Sequence, residues 1–293
     1  PCPWLMGLAG TISQGQGHDT VYKQIVAEQL GIHVDRIRVR EGDTDLQGIG
    51  GGTGGSRSAT CGGSAVFRAA EAAIEKAKKL AAHQMEASVD DIEFAEGNFT
   101  IAGTDRSLTL DEVAKTSYMP GKHPDDVDAG IDERATFSPK VANYPNGAHA
   151  CEVEIDPDTG EIDIQGYVIV DDVGTVLNPA LLKGQIHGGV AQGVGQAVME
   201  RAVFDDSGQN ISGSFMDYTL PRAQDFTLFD VKSNPVPTEQ NPLGVKGAGE
   251  AGTVGALPAF MNAIEHALRS AGVEMIEMPA SPERVWQALQ ANS

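Results

Sequence analysis

Apolar and polar positions along the chain follow two periods, one of strands and one of helices. Residues 4–12 are apolar and extended in character and predict a strand. Val21, Ile25 and Leu30 recur at helical spacing behind a glycine-rich turn, and Ile37 and Val39 alternate with arginines as a short strand. An alanine-rich helical stretch covers residues 59–86. Residues 92–101 predict a hairpin turning at Glu96-Gly97-Asn98, and Thr109 with Glu112 forms a capping box for a short helix reaching about Tyr118. Residues 119–143, rich in Pro, Asp and Gly, lack either period and read as a connection or surface excursion.

The second half opens with strands at residues 148–155 and 161–170 around a turn at residues 157–160. Cys151, Val153 and Ile155 fall on one face and Glu152, Glu154 and Asp156 on the other, so Cys151 reads as core filling. Asn178 and Pro179 are N-cap and first residue of a helix. A hairpin at residues 204–211 and strands at 214–220 and 227–231 follow. A glycine-rich loop then gives way to an apolar helix ending near Leu268, and Ser281, Pro282 and Glu283 start a final helix that buries Val285, Trp286 and Leu289. The expected class is α+β, mixed sheets with packed helices in two lobes, residues 1–140 and 141–293.

Composition narrows the functions open to such a fold. With 41% hydrophobic residues in 293, the chain can bury a sizeable core. No apolar run approaches the roughly 18–20 residues of a membrane span. A net charge of -20 argues against binding a nucleic-acid backbone. Cys2, Cys61 and Cys151 form no CxxC pair, which argues against an iron–sulfur or zinc motif within this chain and fits a reducing, cytoplasmic setting. His33, His83, His123 and His149 have no partner at ligand spacing. The opening Pro1-Cys2-Pro3-Trp4 is no signal peptide, and a strand that begins at once reads as a fragment or one piece of a split subunit.

Gly at 35 residues is concentrated in loops that carry the candidate chemistry. Residues 241–255 read Asn-Pro-Leu-Gly-Val-Lys-Gly-Ala-Gly-Glu-Ala-Gly-Thr-Val-Gly, with Glu250 the lone acid beside Lys246. Such a loop is either a tight connection or a wrap around a ligand, with amides near Gly252 free to face an anion. Residues 48–58 join repeated glycines to Thr53, Ser56, Arg57 and Ser58 before a helix, the donors an anion cradle needs, without the Gly-Lys-Ser/Thr of a Walker loop. Gln14-Gly15-Gln16-Gly17-His18 is either a plain strand-to-helix turn or a phosphate or carbonyl holder. Asp171 and Asp172 are either turn and cap residues or an acid pair. The helix after Pro179 holds Gly184, Gly188 and Gly189, which implies close packing against a partner or cofactor because helical glycine costs about 1 kcal/mol.

These segments, in this order, resemble the molybdenum hydroxylases, the xanthine dehydrogenase, aldehyde oxidase and carbon monoxide dehydrogenase family, over nearly the whole chain. Gly-Val-Lys-Gly-Ala-Gly-Glu resembles the family's Gly-x-Lys-Gly-x-Gly-Glu segment, which implies Glu250 as the active-site base and Lys246, Gly247 and Gly249 as its cofactor-side loop. The Gly-Gln-Gly-His and Gly-Ser-Arg-Ser matches imply cofactor contacts at Gln16, Gly17, His18, Thr53, Gly55, Ser56, Arg57 and Ser58, and the Asn-Pro helix implies Gln185, with Gln192 behind it. The resemblance further implies a two-lobed molybdenum–molybdopterin-binding domain, the cofactor in its cytosine dinucleotide form, with 2Fe-2S and FAD on partner chains or domains. The remaining half of the large subunit would complete it. The implied reaction hydroxylates an aldehyde, N-heterocycle or similar small molecule with water as oxygen source, and this chain would be inactive alone. The competing class is a non-catalytic cofactor-binding or assembly module that keeps the glycine loops for folding.

Overall fold

The computed structural model describes residues 5–48 and 50–292. Pro1, Cys2, Pro3 and Trp4, and Ile49 within residues 48–58, lie outside the described residues. The chain divides into two compact units: residues up to Ala142 together with Glu239–Val245, and Asn143–Thr238 together with the residues from Lys246 onward.

In the first unit, strand β1 (Leu5–Ala9) is followed by helix α1 (His18–Leu30) and by β2 (Ile37–Glu41), which pairs parallel to β1 with Leu5 opposite Ile37 and Ala9 opposite Glu41. A parallel pair needs such a crossover, and α1 supplies it. α1 buries Tyr22, Ile25, Val26 and Leu30; Val21 is only half-buried. A π-helical turn, Ser58–Gly63, then leads into α2 (Ser64–Met85), whose buried Ala77, Ala81 and Ala82 let other elements approach closely. β3 (Ile92–Ala95), β4 (Asn98–Ile101) and β5 (Ser107–Thr109) form an antiparallel meander. Glu96 and Gly97 both have positive φ, as a two-residue hairpin turn requires. The capping box on α3 (Leu110–Thr116) is formed in full. Val26, Leu30, Ile37, Leu80 and Phe99 join these pieces in one core.

The second unit is built on β6 (Asn146–Ile155) and β7 (Ile162–Asp172), an antiparallel hairpin, with β8 (Phe229–Ser233) parallel to β7. Strand pairing is thus parallel in one sheet, antiparallel in the second and mixed in the third, within the α+β class expected. α4 (Pro179–Val198) starts at Asn178, whose side chain accepts from the Leu181 N–H at 3.0 Å. α5 (Ala251–Arg269) and α6 (Pro282–Ala291) follow. Tyr167, Ile169, Ile186, Val190, Val194, Phe260 and Ile264 form the core. Glycines set the contact of α4 with α5: a Cβ on Gly252 would lie 2.5 Å from the Ile186 carbonyl oxygen and 3.1 Å from the Gly189 Cα.

Two expectations fail here. Residues 214–220 form a turn rather than a strand: the Ser214 hydroxyl accepts from the Met216 N–H at 3.2 Å and donates to Asp217 at 2.7 Å, a local closure that competes with sheet pairing. On α6, Val285 is buried but Trp286 is 41% exposed.

Gly252→Ala is expected to destabilise by roughly 1–3 kcal/mol, because backbone must move to admit the methyl. Gly184→Ala, where the added Cβ meets open space, is expected to stabilise by up to about 1 kcal/mol. Urea midpoints of the two variants check both signs.

Candidate active site

Within the first unit the structure joins two of the candidate segments. The Thr53 hydroxyl donates to the Ile12 carbonyl at 2.6 Å, which brings the loop before α2 onto the chain just ahead of Gln14-Gly15-Gln16. The Tyr22 hydroxyl donates to the Ser58 carbonyl at 3.2 Å and lies 3.1 Å from the Thr11 hydroxyl. Gly17 is the N-cap of α1 with φ 79°, a conformation that suits glycine and offers no capping side chain to the first amides of the helix. The Gln16 side chain accepts from the Gln14 N–H and its amide donates to the Gln14 side chain at 3.0 Å.

Other candidates are engaged with protein. His18 is buried with Nδ1 3.0 Å from Glu41 Oε1, and the Glu41 carboxylate also accepts from the Thr11 hydroxyl. The Ser58 hydroxyl is 3.0 Å from that of Thr53. Burial pushes the Tyr22 phenol up to about 12, against the Thr11 hydrogen bond, so it stays a neutral donor. Arg57 and Gly55 are exposed and Ser56 has a left-handed φ of 54°, so the cradle is open on their side.

In the second unit Glu250 is the N-cap residue of α5 and is exposed, as is Gly249, whereas Gly247 is buried. The Val254 N–H donates to the Glu250 carbonyl at 3.0 Å, which begins the helix. Lys246 is fixed twice on the end of β7: its N–H donates to the Val173 carbonyl at 2.8 Å and its ammonium to Asp172 Oδ2. The other Asp172 oxygen accepts from the Gly174 and Val236 N–H groups at 2.9 and 3.0 Å. Burial opposes ionisation of this carboxyl, but the Lys246 and backbone hydrogen bonds outweigh it and hold Asp172 at about 2. Gln185 is half-buried on α4, and the Thr253 hydroxyl lies 3.0 Å from the Gly189 carbonyl and 3.2 Å from Gln192 Oε1.

Motif reading missed Thr11, Tyr22 and Glu41, and it named Asp171 and His149 without bringing them together. His149 has partners after all: Nδ1 is 3.0 Å from the Tyr167 hydroxyl and Nε2 is 3.6 Å from Asp171 Oδ1. His187 packs edge-on against Phe229, with burial keeping its pKa low. Cys151 is core filling, and burial pushes its thiol up to about 12.

Whether these residues suit an organic cofactor can be read from the glycines. A Cβ on Gly52, Gly54 or Gly55, or on Gly184 or Gly188 of α4, would meet nothing within 4 Å. Those glycines are not needed to pack protein, and each leaves room where a ligand can approach backbone. The buried hydroxyls of Thr60 and Ser64, at the head of α2, have no hydrogen-bond partner. Amides, hydroxyls and one guanidinium are the donor set of a phosphate-bearing cofactor. Among the described residues, no three His, Cys, Asp or Glu side chains group to hold a metal ion.

Glycine-lined, donor-rich loops of this kind define a domain that binds an extended organic cofactor. The chain belongs to the molybdopterin cofactor-binding domain family, whose model matches residues 7–227. It is 36% identical over 285 residues to the carbon monoxide dehydrogenase large chain of Hydrogenophaga pseudoflava, covering 97% of this chain and 35% of that one. It is 36% identical to the nicotine 6-hydroxylase large subunit of Paenarthrobacter nicotinovorans, over 96% of this chain and 35% of that one. Its fold matches the solved CO dehydrogenase from Oligotropha carboxidovorans with a TM-score of 0.91 at 35% identity, covering 99% of this chain and 36% of that one. The chain thus spans about a third of the length of these relatives.

Asp172 carries an acid dependence of stability. Its folded pKa of about 2 lies below the ordinary 3.8, so its contribution is fully present above that value and lost as pH falls through about 2. The difference in urea midpoint between wild type and Asp172→Asn is therefore expected to shrink from about pH 5 to about pH 2. A constant difference would contradict this. Gly54→Val and Gly188→Leu fill open space, so they are expected to preserve the fold while lowering retained molybdopterin by about tenfold, a loss of about 1.4 kcal/mol in binding. Cofactor analysis of the purified variants checks it.

Proposed function

We propose that this chain is the molybdenum-cofactor-binding part of a hydroxylase and carries its base, Glu250. The observation that supports this most is the placement of that carboxylate: exposed, at the N-cap of α5, on a loop whose one cation is held by Asp172. Lys246 is thereby tied to the end of β7, and the loop presents Glu250 on its exposed side, next to a ligand lying along Gly247–Gly249. The two units act as the two lobes of the binding domain, Gln16, Gly17, His18 and Thr53–Ser58 in the first, Gln185, Lys246, Gly247 and Gly249 in the second. Within that set, Thr53 and Ser58 brace the first loop, while Gly55, Ser56 and Arg57 face the cofactor. Its cytosine dinucleotide form fits the glycine, hydroxyl and arginine content of that loop, which can hold a phosphate beyond those of the pterin.

When bound, the molybdenum cofactor supplies two-electron redox chemistry and the oxygen derived from water. With that group bound, Glu250 would accept the proton of the water-derived oxygen as the C–H bond of an aldehyde, N-heterocycle or similar small molecule is replaced by C–O, the two electrons of that C–H bond passing to the cofactor. Exposure at Gly249 and Glu250 leaves the carboxylate reachable by substrate. Electrons leave through 2Fe-2S and FAD groups on partner chains or domains, and the remaining half of the large subunit closes the pocket, so this chain alone does not turn over. We place the assembly in the cytoplasm. No helix among the described residues is long and apolar enough to cross a membrane.

Glu250→Gln in the assembled enzyme is expected to abolish turnover by about a thousandfold or more while molybdenum content is unchanged. Metal analysis and initial rates on one preparation test this. Undiminished turnover would overturn the base assignment and favour a non-catalytic cofactor-binding module.

A further inference from the structure

We propose that Asp172 and the His149–Asp171 pair are positioning residues that fix Glu250 from its two flanks, the first through Lys246 and the second through Gly255. This deepens, and rests on, the reading of Glu250 as the base.

Both anchors come from the end of one strand. Asp172 holds Lys246, four residues before Glu250, while its second oxygen takes the Gly174 and Val236 N–H groups. Both oxygens are thus spent on three donors, and side-chain exposure of only 12% on each partner keeps the pair out of bulk solvent. Rotation of Lys246 away from β7 is further opposed by its backbone bond to Val173.

Asp171 points to the opposite face, with 6% of its side chain exposed, and Oδ1 lies 3.6 Å from His149 Nε2. The His149 ring is held at its other nitrogen by the Tyr167 hydroxyl at 3.0 Å and is itself only 4% exposed. Gly255 of α5 sits directly on that ring: a Cβ there would come within 2.5 Å of Cε1 and Nε2. The second oxygen of Asp171 has no hydrogen-bond partner, and its first faces the His149 ring. Gly147 leaves the space that carboxylate occupies, since a Cβ there would fall 2.0 Å from Oδ1. One anchor holds Lys246 on the loop ahead of Glu250 and the other the opening turns of α5 behind it, and rate falls steeply when a reacting group shifts by about 1 Å.

The test uses the assembled holoenzyme carrying Asp172→Asn, Lys246→Met, the double variant, and Gly255→Ala. The expected result is kcat lower by about a hundredfold with KM little changed and amide hydrogen exchange across residues 246–252 faster by about tenfold, with molybdenum content as in wild type in Asp172→Asn and Gly255→Ala. The double variant should be no worse than either single one, because both remove the same link. Gly255→Ala approaches Glu250 from the α5 side with one methyl and should raise the same exchange even where Asp172→Asn fails to assemble. Exchange at wild-type rates in Asp172→Asn or Gly255→Ala, or additive losses in the double variant, would overturn the positioning role. Glu250→Gln measured beside them separates the two readings: full activity there would remove the base assignment without altering the exchange result.

Discussion

The second unit depends on backbone touching backbone where α4 meets α5. A Cβ on Gly189 would come within 2.9 Å of the Gly252 Cα, and one on Gly193 within 2.6 Å of the Ala256 Cβ. Contact at this range leaves no side chain to adjust, so the helices have one rotational setting and one depth. The buried apolar residues further along, Phe260 and Ile264 on α5 and Val190 and Val194 on α4, then fall in register. This contact locates the start of α5, and Glu250, one residue ahead, inherits the location together with the anchors on its two flanks. The Thr253 hydroxyl, within hydrogen-bond distance of the Gly189 carbonyl, ties the same turn a second time.

Much of this was legible in the amino-acid sequence because it rests on local rules. The Asn178 cap, the Thr109–Glu112 box and the turn at Glu96-Gly97 each follow from residue types that satisfy one backbone geometry. Family likeness extended that reading to loops whose glycines satisfy no local rule. What stayed hidden lies across strands. β6 and β7 change register between Glu152 and Val153, so Gln165 is passed over and the inward phase moves from Ile162 and Ile164 to Tyr167, Ile169 and Asp171. Plain alternation would turn Val168 and Val170 inward; they are 40% and 37% exposed. Asp171 is buried only because of that bulge, and His149 gains a partner for the same reason. A histidine with no neighbour at ligand spacing in sequence is, across a hairpin, beside a carboxylate.

The first unit shows the same division. The glycine turn ahead of α1 and the hydroxyl-rich loop ahead of α2 each announce an anion-friendly helix start, but nothing in either motif says that they touch. Their contact runs through Thr53 and Ile12 and through Tyr22, a residue that a count of aliphatic positions passes over. Glu41, at the end of a strand recognised by its arginines, is where Thr11 and His18 find their acceptor. Polar residues that gather from separate elements carry no periodic signal, since each is placed by its own strand or helix and only the fold brings them to one spot.

Glycine content therefore conceals two opposite demands. Gly252 and Gly189 are glycine because protein backbone fills the space a methyl would take; Gly54, Gly184 and Gly188 are glycine although no protein atom comes near. In a helix the second kind costs stability without return from packing, so its presence at Gly184 and Gly188 points outward, to something that lies on the chain. Both kinds alternate on α4 within a single run, Gly188 facing open space and Gly189 the neighbouring helix. One helix can in this way hold its partner rigidly on one side and leave bare backbone for a cofactor on the other, which is how a domain built to grip a large ligand keeps the loop ahead of α5 in a fixed place.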